Sequence, residues 1–259
     1  MKRLKKIIFV FMNDNKVISL FSGAGGMDIG FGMAGFQTAV AVEYDKSCCE
    51  TLKKNNPNLN IIHGDISSIK TSDILKKGGL QITEPALVIG GPPCQSFSLA
   101  GKRMGMEDSR GKLVLEFIRV VRESLPKVFV MENVKGMVNW EKGKAIAAIL
   151  NEISQPIIHE GIEYSYDVNI AVLNASDYGV PQFRERVFLV GNRMGKKFQF
   201  PEPTHCNQSN GTIDLFNKKK QPYSTVWEAI GDLPPADEPS ETALRVSKTI
   251  KKRIIKHGY

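Results

Sequence analysis

The sequence is short of cysteine, clustered histidine and long apolar runs, and each shortage excludes something. Only four of the 259 residues are Cys, and none forms a CxxC pair. A disulfide scaffold and a cysteine-rich zinc module are therefore not expected. The four His, at positions 63, 159, 205 and 257, are too far apart for a local ligand motif, so no metal is expected. The apolar run at 7–12 is six residues long. That is too short for a signal-peptide core, and no stretch approaches the roughly 18 apolar residues of a membrane span. A soluble, cytoplasmic protein with no membrane partner is the expectation.

Apolar and charged residues are in ordinary supply. Hydrophobic residues make up 42% and charged residues 24%, which excludes a largely disordered chain. The length suits one large domain, or a large domain with a small appendage. The net charge of +8 is unevenly placed. Residues 1–16 carry a net +4 and residues 192–259 a net +5, which leaves 17–191 near neutral at −1. Basic flanks suit nucleic acid or another anionic surface, but only weakly; taken alone, a solvated basic face is the simpler reading. Residues 1–16 read as an N-terminal extension, with Met12 as an alternative start.

From residue 16 to about 191, strand and helix signals alternate. Strands are expected over 16–21, 38–43, 60–63, 86–90 and 127–131, with helices over 46–55, 111–124 and 144–153. A late strand pair is expected over 164–173 and 186–191. Alternating β and α with apolar strands argues for an α/β fold around a doubly wound, Rossmann-like sheet. After Gly191 the chain changes character. Residues 192–239 hold six of the thirteen Pro and read as loop-rich. One or two helical turns are expected over 224–230 and a basic helix over 241–256.

The first strand runs into Phe21-Ser22-Gly23-Ala24-Gly25-Gly26, a glycine turn before a helix. Glycines let the backbone turn sharply and approach a ligand. The dinucleotide fingerprint would need Gly at 28, where Asp28 stands, and a negative residue there suits a cofactor without a pyrophosphate. Glu43 ends the second strand, where a carboxylate can bind two ribose hydroxyls. Asp65 follows the third strand and could meet an adenine amino group, or simply cap a helix. Together, in order on successive strands, these residues favour S-adenosylmethionine over a dinucleotide.

The fourth strand ends in Gly90-Gly91-Pro92-Pro93-Cys94-Gln95-Ser96-Phe97-Ser98. Two prolines stiffen this loop at the carboxyl end of a strand, where doubly wound sheets bind ligands. Cys94 there can serve as a held nucleophile acting through its thiolate. Cys48 and Cys49, in a helical stretch, read as small hydrophobes. Glu132, at the end of the fifth strand, suits a proton donor beside Cys94. Arg184 and Arg186 alternate, so an extended segment would aim both to one side, toward phosphate or carbonyl groups. Without context they would equally suit surface salt bridges.

At this point the sequence resembles the DNA (cytosine-5) methyltransferase family, bacterial restriction-modification type. The likeness runs in unbroken order over 17–191, through VISLFSGAGGMDIGF, VEYD, HGDI, GGPPCQSFS, GKRMGMEDSRG, VFVMENVKG and LNASDYGVPQFRERVFLVG. The branch that methylates tRNA fits less well, since it usually has Thr where Ser98 stands. The resemblance implies a catalytic domain over 17–191 that takes S-adenosylmethionine as cofactor and double-stranded DNA as substrate. Phe21 would stack near the adenine, and Gly23, Ala24, Gly25 and Gly26 would cradle the methionine part. Glu43 would bind the ribose and Asp65 the adenine, with Ser22, Tyr44, Ile66 and Pro92 also in the cofactor site. Cys94 would attack C6 of a flipped cytosine. Glu132 would hold N3 and the exocyclic amine, Arg186 the O2 oxygen, and Arg184 would help to place it. Gln95 and Ser98 would touch the DNA backbone. Extrusion of the base follows from access, because a stacked C6 cannot be attacked from above the ring.

The resemblance also marks what is missing. Complete single-chain members continue into a target-recognition region, a motif resembling RxLTxRExARLQxFP and a final GN-containing motif whose helix packs back beside the cofactor. Residues 192–259 read as a basic partial segment leading toward an absent recognition domain. The chain is therefore the larger subunit of a split enzyme, a truncated product, or a free-standing protein with a changed role. Catalytic half and inactive nucleic-acid- or cofactor-binding remnant are the two functional alternatives.

Overall fold

A computed structural model describes residues 15–93, 112–139, 143–207 and 220–233, with positions 241, 244, 245 and 248. The β/α alternation becomes β1 (Lys16–Leu20), α1 (Gly26–Met33), β2 (Gln37–Glu43), α2 (Lys46–Asn55), β3 (Ile61–His63), α3 (Thr71–Gly78), β4 (Leu87–Gly90), α4 (Lys112–Ser124) and β5 (Val128–Val134). The chain continues through α5 (Gly136–Asn139), α6 (Lys144–Ser154), the hairpin β6 (Ile157–His159) and β7 (Ile162–Tyr164), then β8 (Asp167–Asn174) and β9 (Glu185–Asn192). Short strands β10 (His205–Cys206) and β11 (Gln221–Pro222) and helix α7 (Val226–Ile230) follow.

Seven strands form one sheet in the order β3-β2-β1-β4-β5-β9-β8. The first five pair in parallel, whereas β9 runs antiparallel to both β5 and β8. After β1 the chain builds outward through β2 and β3, then returns to place β4 on the other side of β1. The direction of winding reverses between β1 and β4. Their carboxyl ends diverge there and leave a crevice, the usual ligand position in such sheets. The expected α/β doubly wound sheet is the one observed.

Apolar packing on both faces holds the sheet. On one face Ile18, Leu20, Val88, Phe129, Met131 and Leu189 pack against Ile74 of α3, Phe117 and Val121 of α4 and Ile153 of α6. Phe117 meets Phe129 edge to face, and Phe129 meets Tyr166 likewise. Phe117 is fully buried, so truncation to Ala would cost about 3–5 kcal/mol. On the other face Val17, Leu87 and Ile89 lie under Met27 and Phe31 of α1.

Several elements depart from the sequence expectation, among them α3, the strand expected over 164–173 and the β6–β7 hairpin. Helix α3 was not anticipated, because only Ile74 and Leu75 mark its apolar side among lysines and small residues. The stretch expected as one strand over 164–173 is broken at Tyr166. That side chain turns into the core and donates to the Pro126 carbonyl at 2.7 Å, while burial pushes its hydroxyl well above the usual tyrosine range. The β6–β7 hairpin turns through Glu160 and Gly161, both at positive φ, a geometry usually announced by Asn-Gly or Asp-Gly.

Beyond β9, the described segment is tied back to the turn after β8. Tyr178 Oη donates to the Pro201 carbonyl at 2.9 Å, Thr204 N to the Asp177 carbonyl at 2.8 Å, and Tyr223 Oη to Asp177 Oδ1 at 2.8 Å. Helix α7 starts with a reciprocal capping box between Thr225 and Glu228. Of the basic helix expected over 241–256, positions 241, 244, 245 and 248 are helical and the rest lies outside the described residues, as does 1–14 of the N-terminal extension. Among the described residues no helix is long and apolar enough to cross a membrane.

Candidate active site

The glycine turn sits at the mouth of the crevice. Phe21 has φ +53°, and Gly23 and Gly25 have φ +54° and +88°. A left-handed conformation costs an L-residue roughly 1–2 kcal/mol, so the neighbours must hold Phe21 in place. Glu43 does part of this. Its Oε2 accepts from Gly23 N at 2.7 Å, and its Oε1 accepts from Asp45 N at 2.8 Å. One carboxylate thereby fixes the turn after β1 to the end of β2. Each oxygen keeps acceptor capacity for a further hydroxyl. Gly25 is needed for space as well as φ, because a Cβ there would stand 2.9 Å from Leu52 Cδ2.

Asp28 has a structural duty that its sequence position did not reveal. Its carboxylate accepts from Ser19 Oγ and Thr38 Oγ1, both at 2.9 Å. It therefore pins α1 to β1 and β2 under the turn. Ser22 Oγ donates to the Ser19 carbonyl at 3.2 Å and lies 2.9 Å from Ser19 Oγ.

A cavity of about 420 Å³ opens beside this turn. Phe21, Glu43, Tyr44, Asp65 and Ile66 line it, together with Gly91, Pro93 and Leu113. Five sequence-named cofactor residues thus share one wall. Ser22, Gly23, Ala24, Gly25 and Gly26 form the adjoining turn, and Pro92 is buried between Gly91 and Pro93. Leu113 was not anticipated as a site residue; its only sequence signal is the apolar side of α4. Asp65 performs the capping duty that the sequence left open. Its Oδ1 accepts from Ser67 N at 2.9 Å and Ser67 Oγ at 2.7 Å, and these bonds, the backbone one first, hold its carboxyl below the usual 3.8. Cys48 and Cys49 are half-buried on α2, and burial pushes both thiols up.

The second half of the site hangs from β4, β5 and β9. Arg186 Nε stands 2.9 Å from Glu132 Oε1, with both side chains about three-quarters buried. The sheet register makes the pair: Val134 faces Arg186 and Glu132 faces Phe188, so Glu132 and Arg186 are diagonal neighbours. The loop after β4 passes close above. A Cβ at Gly91 would stand 3.1 Å from Glu132 Oε2, so any larger residue there would push the carboxylate aside. Asn133, 2% exposed, donates from Nδ2 to the Pro92 carbonyl at 3.2 Å. Asn133 is a positioning residue that sequence reasoning missed, although it lies inside the quoted MENV motif. Lys135 Nζ to Glu185 Oε1, at 2.7 Å, closes the same end of the strand pair.

Arg184 is exposed and lies just before β9, which begins at Glu185. The two arginines are therefore not two positions of one strand. Arg184 is held through its backbone, whose N–H donates to Asn174 Oδ1 at 2.9 Å. Cys94, Gln95 and Ser98 lie outside the described residues. Among the described residues no group of three or more His, Cys, Asp and Glu could hold a metal ion.

Chemically, the cavity offers apolar walls with two carboxylates, which suits an adenosine-like group. The Glu132–Arg186 pair offers a carboxyl beside a fork of N–H donors. That suits a planar ring edge showing an amine, a ring nitrogen and a carbonyl in a row.

The chain is similar to known proteins. The family described as "C-5 cytosine-specific DNA methylase" matches residues 15–257. Type II methyltransferase M.AquIA of Picosynechococcus is 67% identical over 248 residues, covering 95% of this chain and 100% of that protein. Type II methyltransferase M.FnuDI of Fusobacterium nucleatum is 46% identical over 191 residues, covering 73% of this chain and 51% of that protein. The chain thus spans the whole of one curated relative but about half of the other. A crystal structure of a DNA modification methyltransferase encoded within an E. coli prophage superposes with TM-score 0.65 and 29% identity, covering 85% of this chain and 55% of that one.

Proposed function

Because this chain belongs to the C-5 cytosine-specific DNA methylases, we propose that it is the catalytic part of a DNA cytosine-5 methyltransferase, completed by a second polypeptide that supplies target recognition. The observation that carries the reading is the Glu132–Arg186 pair under the Gly91-Pro92 backbone, beside a cavity lined by Phe21, Glu43 and Asp65. A remnant without chemistry has no physical need to keep an ion pair three-quarters buried beneath the Gly91 backbone.

Phe21, Glu43, Asp65 and the glycine turn would hold S-adenosylmethionine, and the bound cofactor supplies an electrophilic methyl group. The remaining work falls to side chains. Cys94, as thiolate, forms a bond to C6 of an extruded cytosine, and electron density moves to C5. Glu132 holds N3 and the exocyclic amine as charge develops on the ring, and Arg186 holds O2. After methylation the C5 proton passes to solvent water, its bonding pair restores the C5–C6 double bond, the C6–S bond breaks and the thiolate returns. Pro92 and Pro93 limit the freedom of the loop before Cys94, so less ordering remains to be done at the reacting atoms.

The second polypeptide is supported by extent. M.AquIA matches over its whole length, whereas seven other curated relatives are covered over 48% to 60% of theirs. Base readout requires side chains in a groove, and the resemblance places those side chains beyond the matched motifs.

The test co-expresses this chain with the part of M.FnuDI that it does not match and adds a duplex containing 5-fluorocytosine with S-adenosylmethionine. A covalent protein–DNA complex that disappears in Cys94→Ser is expected. No complex, or one that survives Cys94→Ser, overturns the catalytic reading.

A further inference from the structure

A second groove, of about 790 Å³, lies between α3, α4 and the β6–β7 hairpin and shares no lining residue with the cofactor cavity. Leu75, Leu80, Ile82 and Ile157 give it an apolar floor. Its two arginines are already committed. Arg119 of α4 pairs with Glu116 and Glu123 and donates to the Ile66 and Ile69 carbonyls. Arg122 donates to the Glu152 and Gln155 carbonyls at the end of α6. These bonds tie the walls to one another, so the groove is formed in the chain by itself. They leave over Lys70 and Lys76, both exposed and without a side-chain partner among the described residues.

The hairpin beside this groove carries the opposite set. Ile157 packs against the main core, so strand alternation turns Ile158 and the Glu163 opposite it outward. Ile158 is 75% exposed and Ile162 55%, a large apolar exposure for a hairpin of six paired residues. Glu160 and Glu163 are exposed and have no side-chain partner among the described residues. Glu160 stands at φ +50°, where Asn or Gly would be less strained, so the turn keeps a carboxylate against the preference of its backbone. Among the described residues β6 pairs with β7 alone. Its three residues include neither lysine nor proline, the usual guards of an open strand edge.

We propose that this patch is the interface of a two-fold dimer of this chain, in which each hairpin lies in the groove of the other copy. A two-fold contact joins one patch to itself, so that if a residue meets a second residue of the other copy, the reverse contact is made as well. A groove with two unpartnered lysines beside a hairpin with two unpartnered glutamates is therefore complementary to its own copy. Burial of Ile158 and Ile162 against the apolar floor supplies the attraction, and the lysine–glutamate contacts fix register and partner. Nucleic acid fits the groove less well, because Glu123 within it and Glu160 and Glu163 beside it repel phosphate. Since the groove and the cofactor cavity have separate linings, each copy keeps its cavity open.

The test follows self-association of the full chain by analytical ultracentrifugation. The parent is compared with a hairpin variant (Glu160→Lys with Glu163→Lys), a groove variant (Lys70→Glu with Lys76→Glu), Ile158→Glu, and Val226→Glu at a 58% exposed site on α7. The parent is expected to be a dimer. The hairpin variant, the groove variant and Ile158→Glu should each weaken it about tenfold or more with an unchanged circular dichroism spectrum, and Val226→Glu should associate like the parent. An equimolar mixture of the hairpin and groove variants should regain the dimer, because reversed hairpin then meets reversed groove and native hairpin meets native groove. A monomeric parent, a dimer that either charge reversal leaves intact, a mixture that stays monomeric, or a loss with Val226→Glu as large as with the others overturns the interface. A monomeric parent whose binding to a DNA duplex falls in the groove variant overturns it in favour of nucleic acid.

Discussion

Arg186 of β9 holds Glu132 of β5 at 2.9 Å, and the antiparallel register of the two strands alone makes the contact. A carboxylate and a guanidinium positioned together on neighbouring strands can grip two atoms of one ring. Glu132→Gln should lower methyl transfer by about 10²–10³-fold, the usual loss on removing one group that meets developing charge. Cofactor affinity should change little. Single-turnover methyl incorporation beside calorimetry of cofactor binding separates the two.

Asn133→Ala should destabilise the chain by about 1–3 kcal/mol, because it leaves the buried Pro92 carbonyl without its donor. The same change frees the loop that leads to Cys94. Urea denaturation should show the stability loss. The rate of covalent trapping should fall further than stability alone explains, and a rate that merely follows the folded fraction would assign Asn133 to folding only.

Gly25→Ala meets two obstacles, a φ of +88° and a Cβ 2.9 Å from Leu52 Cδ2. A melting temperature lowered by several degrees is expected, together with weaker cofactor binding. Glu43→Gln should behave differently. It keeps one acceptor oxygen for the turn but loses the charge and the second acceptor, so cofactor affinity should fall about tenfold with a smaller change in melting temperature.

Asp65 gives a pH dependence with a definite sign. Its folded carboxyl is held below 3.8 by the Ser67 N–H and hydroxyl. A depressed carboxylate adds stability above its unfolded value and loses it as pH falls through the folded one. The group is exposed, so the effect is small. Thermal melts of the parent and Asp65→Ala should therefore differ most at neutral pH and converge as pH drops below 3.8. A gap that widens on acidification would contradict the cap.

Much of the fold was legible in the sequence. The expected strands at 86–90 and 186–191 fall within a residue or two of β4 and β9, because short apolar runs flanked by glycine and polar residues leave little choice. The fifth strand was read as ending at Met131, yet it continues to Val134. Glu132 and Asn133 carry no apolar signal; they are strand residues because β9 pairs with them. Family and reaction class were also legible, since the motifs are specific. Asp28 was not. A carboxylate in a glycine-rich segment suggests a ligand, and only the positions of Ser19 and Thr38 reveal it as a clamp.

By itself the sequence determined the inventory: a glycine turn, carboxylates after successive strands, a proline-stiffened cysteine, a Glu and a pair of Arg, in a fixed order on alternating strands and helices. It could do so because backbone restrictions and side-chain chemistry are local properties. The tertiary structure decided which members meet. It put Arg186 rather than Arg184 against Glu132, gave Asp65 to Ser67, drew Gly91 over Glu132 and left one face of β5 half-covered. Those outcomes depend on strand order, on register and on which helix covers which strand. They are contacts between segments distant in the chain, which no local pattern encodes.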